Sequence, residues 1–352
     1  MSELAETPIF IGGYPRSGTT LLTSLLDSHP DLIVYPRETQ FFKQVLPLFR
    51  RDPALALDFV IWDTAQSSWY ATHLYDEGKG VGQFQALLRV VFTQLGSSPK
   101  ALLQAIMLAH AQVTGQSHKR AWVEKTPHNE LFASSIFGWF PNAKLIYIVR
   151  DPRATFASVR GFQKIMHQPQ TSALRFCAEW RASLQASRRN TLRFPSLTVK
   201  YEDLVEAPEA TIERICTFLG IAFQDSLLQP TFDGADFTGF SSYSSFATQF
   251  KTIDRSSLGK WKEILPPNDI RTINYLLAED LAALGYAADM VATSPALKLL
   301  YDIPYQAGLL ALRAPAPVQR AIRAAVGSPP NRVDQYQQWK REQVAQPVEP
   351  MP

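Results

Sequence analysis

The residues from Gly13 to Thr20 form a glycine-bounded segment that is suited to holding an anion. The segment follows the apolar run Ile9–Ile11 and precedes a helical pattern, so the sequence predicts a strand, a turn and a helix in that order. A turn of this kind presents successive backbone N–H groups, and the helix N-terminus adds partial positive charge. The spacing of Gly13 and Gly18 is that of the phosphate-binding P-loop.

The segment departs from the P-loop pattern at one position. Thr19 stands where the pattern has a lysine, whereas Thr20 supplies the expected final hydroxyl. In nucleotide hydrolases that lysine neutralises the β- and γ-phosphates, so its loss argues against ATP or GTP as a phosphoryl donor. Arg16 supplies a cation from another place in the loop, and Ser17 adds a hydroxyl. The alternative is a plain strand–turn–helix with glycines for tight packing.

A second candidate anion site follows the apolar run Leu145–Val149. Arg150 comes directly after this run, at the edge of the sheet where open α/β folds bind ligands. Asp151 is a good N-cap for a helix, and Ser158 lies about two turns into that helix. An arginine and a hydroxyl that converge in this way suit a phosphate monoester. The alternative is an ion pair of Arg150 with Asp151 or Glu202.

The segment Tyr14–Leu22 resembles the 5′-phosphosulfate loop of sulfotransferases that use 3′-phosphoadenosine 5′-phosphosulfate (PAPS). The resemblance is to the tyrosylprotein sulfotransferase-like branch and its bacterial relatives, and it runs from Ile9 to about Tyr286. It implies PAPS as the donor and 3′,5′-adenosine bisphosphate as the product. The transfer itself requires no metal in principle, and the sequence contains no H-E-x-x-H motif, cysteine cluster or Asp-x-Asp run. The family similarly places an arginine, and a serine eight residues later, on the 3′-phosphate, which implies that role for Arg150 and Ser158. The loop residues implied in binding the other end of the donor are Arg16, Ser17, Gly18, Thr19 and Thr20.

Sulfuryl transfer needs a base for the acceptor hydroxyl and cations on the transferring group. Glu38 follows the apolar run Leu32–Tyr35, and the resemblance implies that it is the base. Lys125 follows the next apolar run and aligns with the family's catalytic lysine, and Arg16 is a further catalytic cation. His128 is the rival base, although its spacing from the lysine differs from the family's. The alternatives are a capping or ion-paired glutamate, a surface lysine and a structural histidine.

Two later segments add candidate residues for cofactor binding. Tyr201 lies in a recurrent family signature and is expected to pack against the nucleotide, with strand-end packing as the alternative. The basic segment from Arg255 to Lys262 resembles the part of the family fold that closes over the cofactor, so Arg255, Ser257 and Lys260 are candidates for phosphate contact. Gly259 stands where the tyrosylprotein branch has a serine. The alternative is a solvated charged loop.

These residues need a common scaffold, and the periodicity of the chain predicts one. Short, continuously apolar runs are typical of strands that are buried on both faces, and helical patterns separate them. The runs are Ile9–Ile11, Leu32–Tyr35, Ala121–Val123, Leu145–Val149 and Leu197–Val199. The prediction is an α/β fold, a P-loop-like open parallel sheet flanked by helices. A helical insertion at about 40–118 completes the domain 1–286, and a proline-rich extension and tail occupy 287–352.

Composition limits the class of protein. The chain has 352 residues, of which 46% are apolar and 19% charged, as in globular proteins. The net charge of +3 argues against a general nucleic-acid partner. The two cysteines exclude a disulfide framework and indicate reduced, buried thiols, with a single bridge between them as the alternative. The chain shows neither the features of a signal peptide nor an apolar run long enough to span a membrane, so a cytoplasmic location is expected. Weak contact of residues 306–326 with a membrane surface is an alternative to their packing on the domain.

The acceptor is expected to be a small or lipid-like alcohol or a glycan hydroxyl. An acidic tyrosine peptide would favour a basic cleft, but the insertion from Ala54 to Thr114 carries only three cations, Lys79, Arg89 and Lys100. Two other classes of protein remain open. A P-loop small-molecule kinase would need Mg²⁺ and a phosphate-binding lysine, and a non-catalytic module for PAPS or the bisphosphate would not need Glu38 and Lys125.

Overall fold

The structure is a computed structural model, and it describes residues 6–65, 79–232, 235–236, 253, 255–287, 305 and 331–345. Five parallel strands form the main sheet in the order β2-β3-β1-β4-β5. They are β1 (Pro8–Gly12), β2 (Leu32–Val34), β3 (Ala121–Lys125), β4 (Lys144–Val149) and β5 (Ser196–Lys200). Two short strands, β6 (Thr231–Phe232) and β7 (Ala235–Asp236), pair antiparallel. The predicted fold class is confirmed, and each predicted strand lies within two residues of an observed one.

Helices connect the strands. The α-helices of the described residues are α1 (Thr19–Leu26), α2 (Leu46–Phe49), α3 (Pro53–Ala65), α4 (Lys79–Gln94), α5 (Pro99–Val113), α6 (Ala133–Trp139), α7 (Pro152–Ile165), α8 (Ala173–Thr191), α9 (Tyr201–Glu206), α10 (Pro208–Leu219), α11 (Trp261–Ile264), α12 (Pro267–Leu276), α13 (Ala278–Ala283) and α14 (Arg332–Ala345). Short 3₁₀ turns cover Asn129–Phe132, Asp225–Leu228 and Arg255–Ser257, and a π-helical turn covers Phe41–Val45.

Contacts divide the described chain into two compact units. The larger unit includes Glu6–Glu38 and the described residues from Arg120 to Tyr305, and therefore the whole main sheet. The smaller unit includes Thr39–Ala65, Lys79–Lys119 and the described residues 331–345. The candidate site residues from the sequence analysis all belong to the larger unit.

The core of the larger unit lies on both faces of the sheet, because successive strand residues point to opposite sides. Ile9 and Ile11 of β1 pack with the leucines of α1 and with residues of α10. On the other face, Tyr147 and Val149 of β4 pack with α7 and α8. Each leucine of α1 that is fully buried in this way stabilises the fold by about 2 kcal/mol. The loop between β1 and α1 is therefore held at both of its ends by buried residues.

The smaller unit includes the helix α14. Arg332 donates two hydrogen bonds to the carboxylate of Asp63 on α3, at 2.8 and 2.9 Å. Tyr336 packs its ring against Phe59 and Trp62 of the same helix, at centroid distances of 5.6 and 5.4 Å. The sequence predicted a loose tail from about residue 342, but α14 continues to Ala345, because this stretch is rich in strong helix formers.

Residues 306–326, for which the sequence analysis considered membrane-surface contact, lie outside the described residues, as does most of the extension 287–352. In the part of the chain that the structure does describe, no helix is long and apolar enough to cross a membrane.

Candidate active site

The candidate residues lie along one edge of the sheet, at the carboxyl ends of its five strands. The strand order places Glu38 after β2, Lys125 at the end of β3, the loop from Gly13 to Thr20 after β1, Arg150 after β4 and Tyr201 after β5. The strand register places these residues next to one another, because Ile11 pairs with Lys125 and Val149 pairs with Lys200. The topology thus brings together the residues that the sequence spaced over about two hundred positions.

The loop between β1 and α1 has the backbone of an anion-binding turn. Arg16 and Gly18 both have positive φ, at 71° and 104°, and the N–H of Ser17 closes a turn on the carbonyl of Tyr14 at 3.1 Å. Left-handed residues within such a turn aim consecutive N–H groups at one point. Helix α1 begins at Thr19, so its first N–H groups have no partner within the helix. The loop therefore offers backbone donors together with the positive end of a helix.

Close packing makes glycine necessary at position 18. A Cβ atom there would lie 2.4 Å from the ring of Tyr201, which itself begins α9. Tyr201 also carries the guanidinium of Arg150 over its ring, 4.2 Å from the centroid. The aromatic ring thus touches the phosphate loop on one side and the second predicted anion site on the other.

Two buried polar atoms at this edge have unused hydrogen-bonding capacity. The hydroxyl of Ser17 and the Nε of Arg150 are both buried without a hydrogen-bond partner among the described residues. The other guanidinium nitrogens of Arg150 reach the carbonyl oxygens of Arg16 and Ser257 only at 3.5 Å, which is long for a hydrogen bond. Buried donors of this kind are normally satisfied, so their arrangement fits a bound phosphate or sulfate group.

Asp151 and Glu202, the two alternative ion-pair partners of Arg150, bind other groups. Asp151 instead receives the guanidinium of Arg153 at 2.7 Å and 3.0 Å, and it caps α7 as predicted. Glu202 accepts hydrogen bonds from the N–H of Asp151 and the hydroxyl of Tyr286. Among the described residues, Arg150 forms no ion pair.

The loop and α7 are in direct contact. The Nε of Arg16 donates to Oγ of Ser158 at 3.2 Å, and its guanidinium lies 5.5 Å from the ring centroid of Phe162, one turn further along α7. The structure therefore joins the arginine of the first predicted anion site to the serine of the second. A donor molecule with two anionic ends would span this contact.

Lys125 and Glu38 form an ion pair. The Nζ of Lys125 lies 2.8 Å from Oε1 of Glu38, and their side chains are 9% and 26% exposed, respectively. The neighbouring carboxylate of Glu124 accepts hydrogen bonds from Thr126 and Asn129 and is 1% exposed, so it is occupied as an acceptor. Of these two carboxylates, Glu38 is the one that solvent or an acceptor can reach.

His128 has a different setting from Glu38. Its φ is 75°, its ring packs edge-on against Tyr14 with the centroids 5.4 Å apart, and its Nδ1 lies 3.6 Å from Oε1 of Glu130. Burial, and then the carboxylate of Glu179, raise the pKa of the Tyr14 hydroxyl, which donates to Glu179 at 3.0 Å. The imidazole of His128 thus packs between Tyr14 and Glu130, beside the phosphate loop.

The late basic segment makes contacts with α9. Oγ of Ser257 lies 2.9 Å from the hydroxyl of Tyr201, whereas Arg255 donates to the carbonyls of Val205 and Glu206 at the end of α9. The arginine proposed for phosphate contact thus satisfies helix-terminal carbonyls in this structure. Lys260, the other candidate, is exposed and lies directly before α11.

A buried carboxylate beneath the loop, that of Glu130, was not among the residues predicted from the sequence. Glu130 is 1% exposed, and its Oε2 accepts a hydrogen bond from the N–H of Gly13 at 2.8 Å. Its Oε1 accepts a hydrogen bond from Ser183 on α8. The contact with Gly13 joins residues 117 positions apart, and no local pattern signals it.

Neither a metal cluster nor a reactive thiol accompanies these residues in the described part of the chain. Within the described ranges, no group of three or more His, Cys, Asp or Glu side chains is arranged to hold a metal ion. Cys177 and Cys216 are both buried and free, as the sequence predicted, and burial raises the pKa of the Cys216 thiol to about 11.

Comparisons with known proteins agree with this geometry. Residues 8–225, more than half of the chain, match the family model described as the sulfotransferase family. Protein-tyrosine sulfotransferase A of Caenorhabditis elegans is 27% identical over 288 residues, which cover 79% of the chain and 67% of that protein. The nodulation protein NoeE of Sinorhizobium fredii is 24% identical over 301 residues, which cover 79% of the chain and 65% of that protein.

Solved structures show the same fold. The sulfotransferase domain from the curacin biosynthetic pathway aligns with a TM-score of 0.52 at 24% identity, over 80% of this chain and 98% of that one. The sulfotransferase domain of the Synechococcus PCC 7002 olefin synthase aligns with a TM-score of 0.50 at 24% identity, over 80% and 96%. The prediction of a PAPS-dependent sulfotransferase is confirmed by the family match, and the chain belongs to the sulfotransferase family.

Proposed function

We propose that this sulfotransferase modifies the hydroxyl of a small or lipid-like alcohol or a glycan, and that Glu38 is its general base. The observation that carries the proposal for the base is the contact between Lys125 and Glu38, 2.8 Å apart at the ends of two neighbouring strands. The strand β3 that bears Lys125 pairs directly with β1, whose end opens the phosphate loop. A base, a cation and an anion-binding turn therefore lie side by side.

The donor-binding residues fit PAPS at both of its anionic ends. Ser17, the N–H groups of the loop and the N-terminus of α1 suit the 5′-phosphosulfate. Arg150 and Ser158 suit the 3′-phosphate, and Tyr201 supplies an aromatic surface between the two. PAPS, when bound, supplies a sulfuryl group attached to a phosphate that is a good leaving group.

The two catalytic side chains have complementary tasks. Glu38 is the partly exposed carboxylate, and it takes the proton of the acceptor hydroxyl as that oxygen attacks. Lys125 orients the carboxylate through its 2.8 Å contact and keeps a positive charge beside the group that departs. Arg16 adds a second cation from the loop. Positioning and electrostatics of this kind supply most of the rate in such transfers.

The acceptor class is proposed from the charge of the helical insertion. Among its three cations, Arg89 lies 3.6 Å from Asp58, and so is partly neutralised. An acidic tyrosine peptide would need more positive charge than this. The similarity to protein-tyrosine sulfotransferases favours the competing candidate, a protein tyrosine.

Product formation from PAPS tests both candidates. The purified chain is incubated with PAPS and, separately, a long-chain alcohol, an oligosaccharide and an acidic tyrosine peptide, and sulfated products are detected by mass spectrometry. Sulfation of the alcohol or the glycan supports the proposal, and turnover of the peptide alone overturns the acceptor class. Calorimetric titration with 3′,5′-adenosine bisphosphate in EDTA, with ATP–Mg²⁺ in parallel, distinguishes the kinase alternative by which ligand binds.

A further inference from the structure

We propose that Glu130 is a positioning residue for the phosphate loop, which it holds in its anion-binding shape through the N–H of Gly13. The proposal rests on the proposed donor site, because it assigns the loop to the 5′-phosphate end of the ligand. Glu130 does not reach the ligand itself. It acts through the first peptide group of the loop, and so through the direction of every N–H that follows.

The carboxylate of Glu130 is fixed at both oxygens. Oε2 accepts from the N–H of Gly13 at 2.8 Å, and Oε1 accepts from Ser183 of α8. The main chain of Glu130 is held as well, because Asn190 of α8 donates to its carbonyl at 2.8 Å. The residue is 1% exposed, so water does not compete for these contacts. The loop is thereby attached to the long helix α8.

The same close approach of Glu130 accounts for the glycine at position 12. A Cβ atom on Gly12 would lie 2.6 Å from Oε2 of Glu130 and 3.0 Å from its backbone nitrogen. Gly12 is not among the glycines with positive φ, so its backbone conformation alone would accept alanine. Close approach of the carboxylate is therefore the reason that a side chain is excluded from this position.

The charge of Glu130 does not itself favour an anion. A carboxylate beneath the loop repels a phosphate or sulfate group, so its benefit to binding must be geometric. Two other groups lie near this carboxylate. Nδ1 of His128 is 3.6 Å from its Oε1, and the hydroxyl of Tyr147 is 3.3 Å from Oγ of Ser183, which itself bonds Glu130. The carboxylate takes up the N–H of Gly13 and leaves the later donors of the turn for the ligand.

A purely structural role is the competing explanation, and ligand selectivity separates the two. The ligands are 3′,5′-adenosine bisphosphate, adenosine 5′-monophosphate and adenosine 3′-monophosphate, each titrated by calorimetry. For Glu130→Ala we expect the affinity for the two ligands with a 5′-phosphate to fall about tenfold or more, since a hydrogen bond to a charged group is lost. The affinity for the 3′-monophosphate should stay within about twofold, because its phosphate is assigned to Arg150 and Ser158, neither of which bonds Glu130.

Three further variants complete the test. Glu130→Gln should keep 5′-phosphate binding within about threefold, because the amide oxygen can still accept from Gly13. Gly12→Ala displaces the carboxylate while keeping every polar group, and it should reproduce the selective loss even if Glu130→Ala does not fold. Asp280→Asn is the matched control, a buried carboxylate that bonds Arg181 and Arg188, and it should change no ligand selectively.

The outcomes are distinct. Selective loss of 5′-phosphate ligands in Glu130→Ala or Gly12→Ala, with retention in Glu130→Gln, supports the positioning role. Equal losses for both monophosphates, or no loss in the folded variants, overturn it. If the unchanged protein binds none of the three ligands, the proposed donor site itself fails, which is a different result.

Discussion

Lys125 and Glu38 neutralise each other across the ends of two adjacent parallel strands, with 2.8 Å between Nζ and Oε1. Lys125 is nearly buried in this pair and Glu38 is not. Truncating the glutamate therefore leaves a poorly solvated ammonium without this acceptor, whereas Gln removes the negative charge but keeps an amide oxygen that can accept from Lys125. This asymmetry makes Glu38→Gln the cleaner probe of the proposed base.

We expect Glu38→Gln to lower kcat by about 10²–10⁴, the usual contribution of a general base. Affinity for 3′,5′-adenosine bisphosphate should remain near that of the unchanged protein, because the carboxylate is assigned to the acceptor side. The measurements are initial rates at saturating PAPS and calorimetric affinity for the bisphosphate. His128→Asn is the comparison variant, and a larger loss of kcat there than in Glu38→Gln would make the histidine the base.

Arg150→Gln should weaken binding of adenosine 3′-monophosphate by about 10–100-fold, since charge-assisted hydrogen bonds to the phosphate are lost. Binding of adenosine 5′-monophosphate should change little. This selectivity is opposite to that expected for Glu130→Ala. Arg160→Gln removes an arginine from α7 that instead bonds Asp269, and it serves as the control. Equal loss of both monophosphates in Arg150→Gln would contradict the assignment of Arg150 to the 3′-phosphate.

Gly18→Ala should lower the free energy of unfolding by about 2 kcal/mol or more, because alanine is strained at positive φ and its Cβ would strike Tyr201. Gly161→Ala is the matched control on α7, where no atom beyond the adjoining residues and backbone of the helix lies within 4 Å of the added carbon. That change should stabilise the protein by about 0.5–1 kcal/mol, as alanine favours a helix over glycine. Urea unfolding measures both, and similar effects of the two changes would contradict the packing argument.

Lowering the pH should destabilise the smaller unit, because His110 is buried in its neutral form. Burial, and then the nearby Lys119, lower the pKa of His110 from 6.5 to about 3. The unfolded chain therefore binds a proton that the folded chain rejects between these values, and stability falls as the pH drops below about 6.5. The expected slope from this group is at most about 1.4 kcal/mol per pH unit. Urea unfolding at pH 7.5, 6 and 5 should show a shallower dependence for His110→Gln, and an unchanged slope would be the contrary result.

The strands and the residues at their ends were predictable from the sequence, because the signals are local. Continuous apolar runs gave all five strands of the main sheet, and turn residues after each run marked the edge where Glu38, Lys125 and Arg150 lie. Asp151 as the cap of α7 was equally local. The phosphate loop was visible because glycine spacing and helix initiation act within a few residues.

The contacts that join these elements were not predictable in the same way. In the sequence, Glu130 is an ordinary charged residue of a turn. Only the folded chain brings its carboxylate to the N–H of Gly13. Arg255 was chosen for its charge, yet its position beside the end of α9 gives it the carbonyls of Val205 and Glu206. The contact of Arg16 with Ser158 likewise depends on the pairing of β1 with β4. Charge and residue type identify candidates, whereas strand order decides their partners.

The position of β1 has a consequence for synthesis of the protein. This first strand is the middle strand of the sheet, and its partners are distant, since Pro8 pairs with Trp122 and Ile9 with Lys144. A growing chain on the ribosome therefore carries an apolar strand with two unsatisfied edges until both partners have emerged. Such non-local pairing slows folding and leaves time for aggregation. Slower translation of residues 121–149 would prolong the time for which β1 is exposed. We therefore expect it to lower the yield of correctly folded protein.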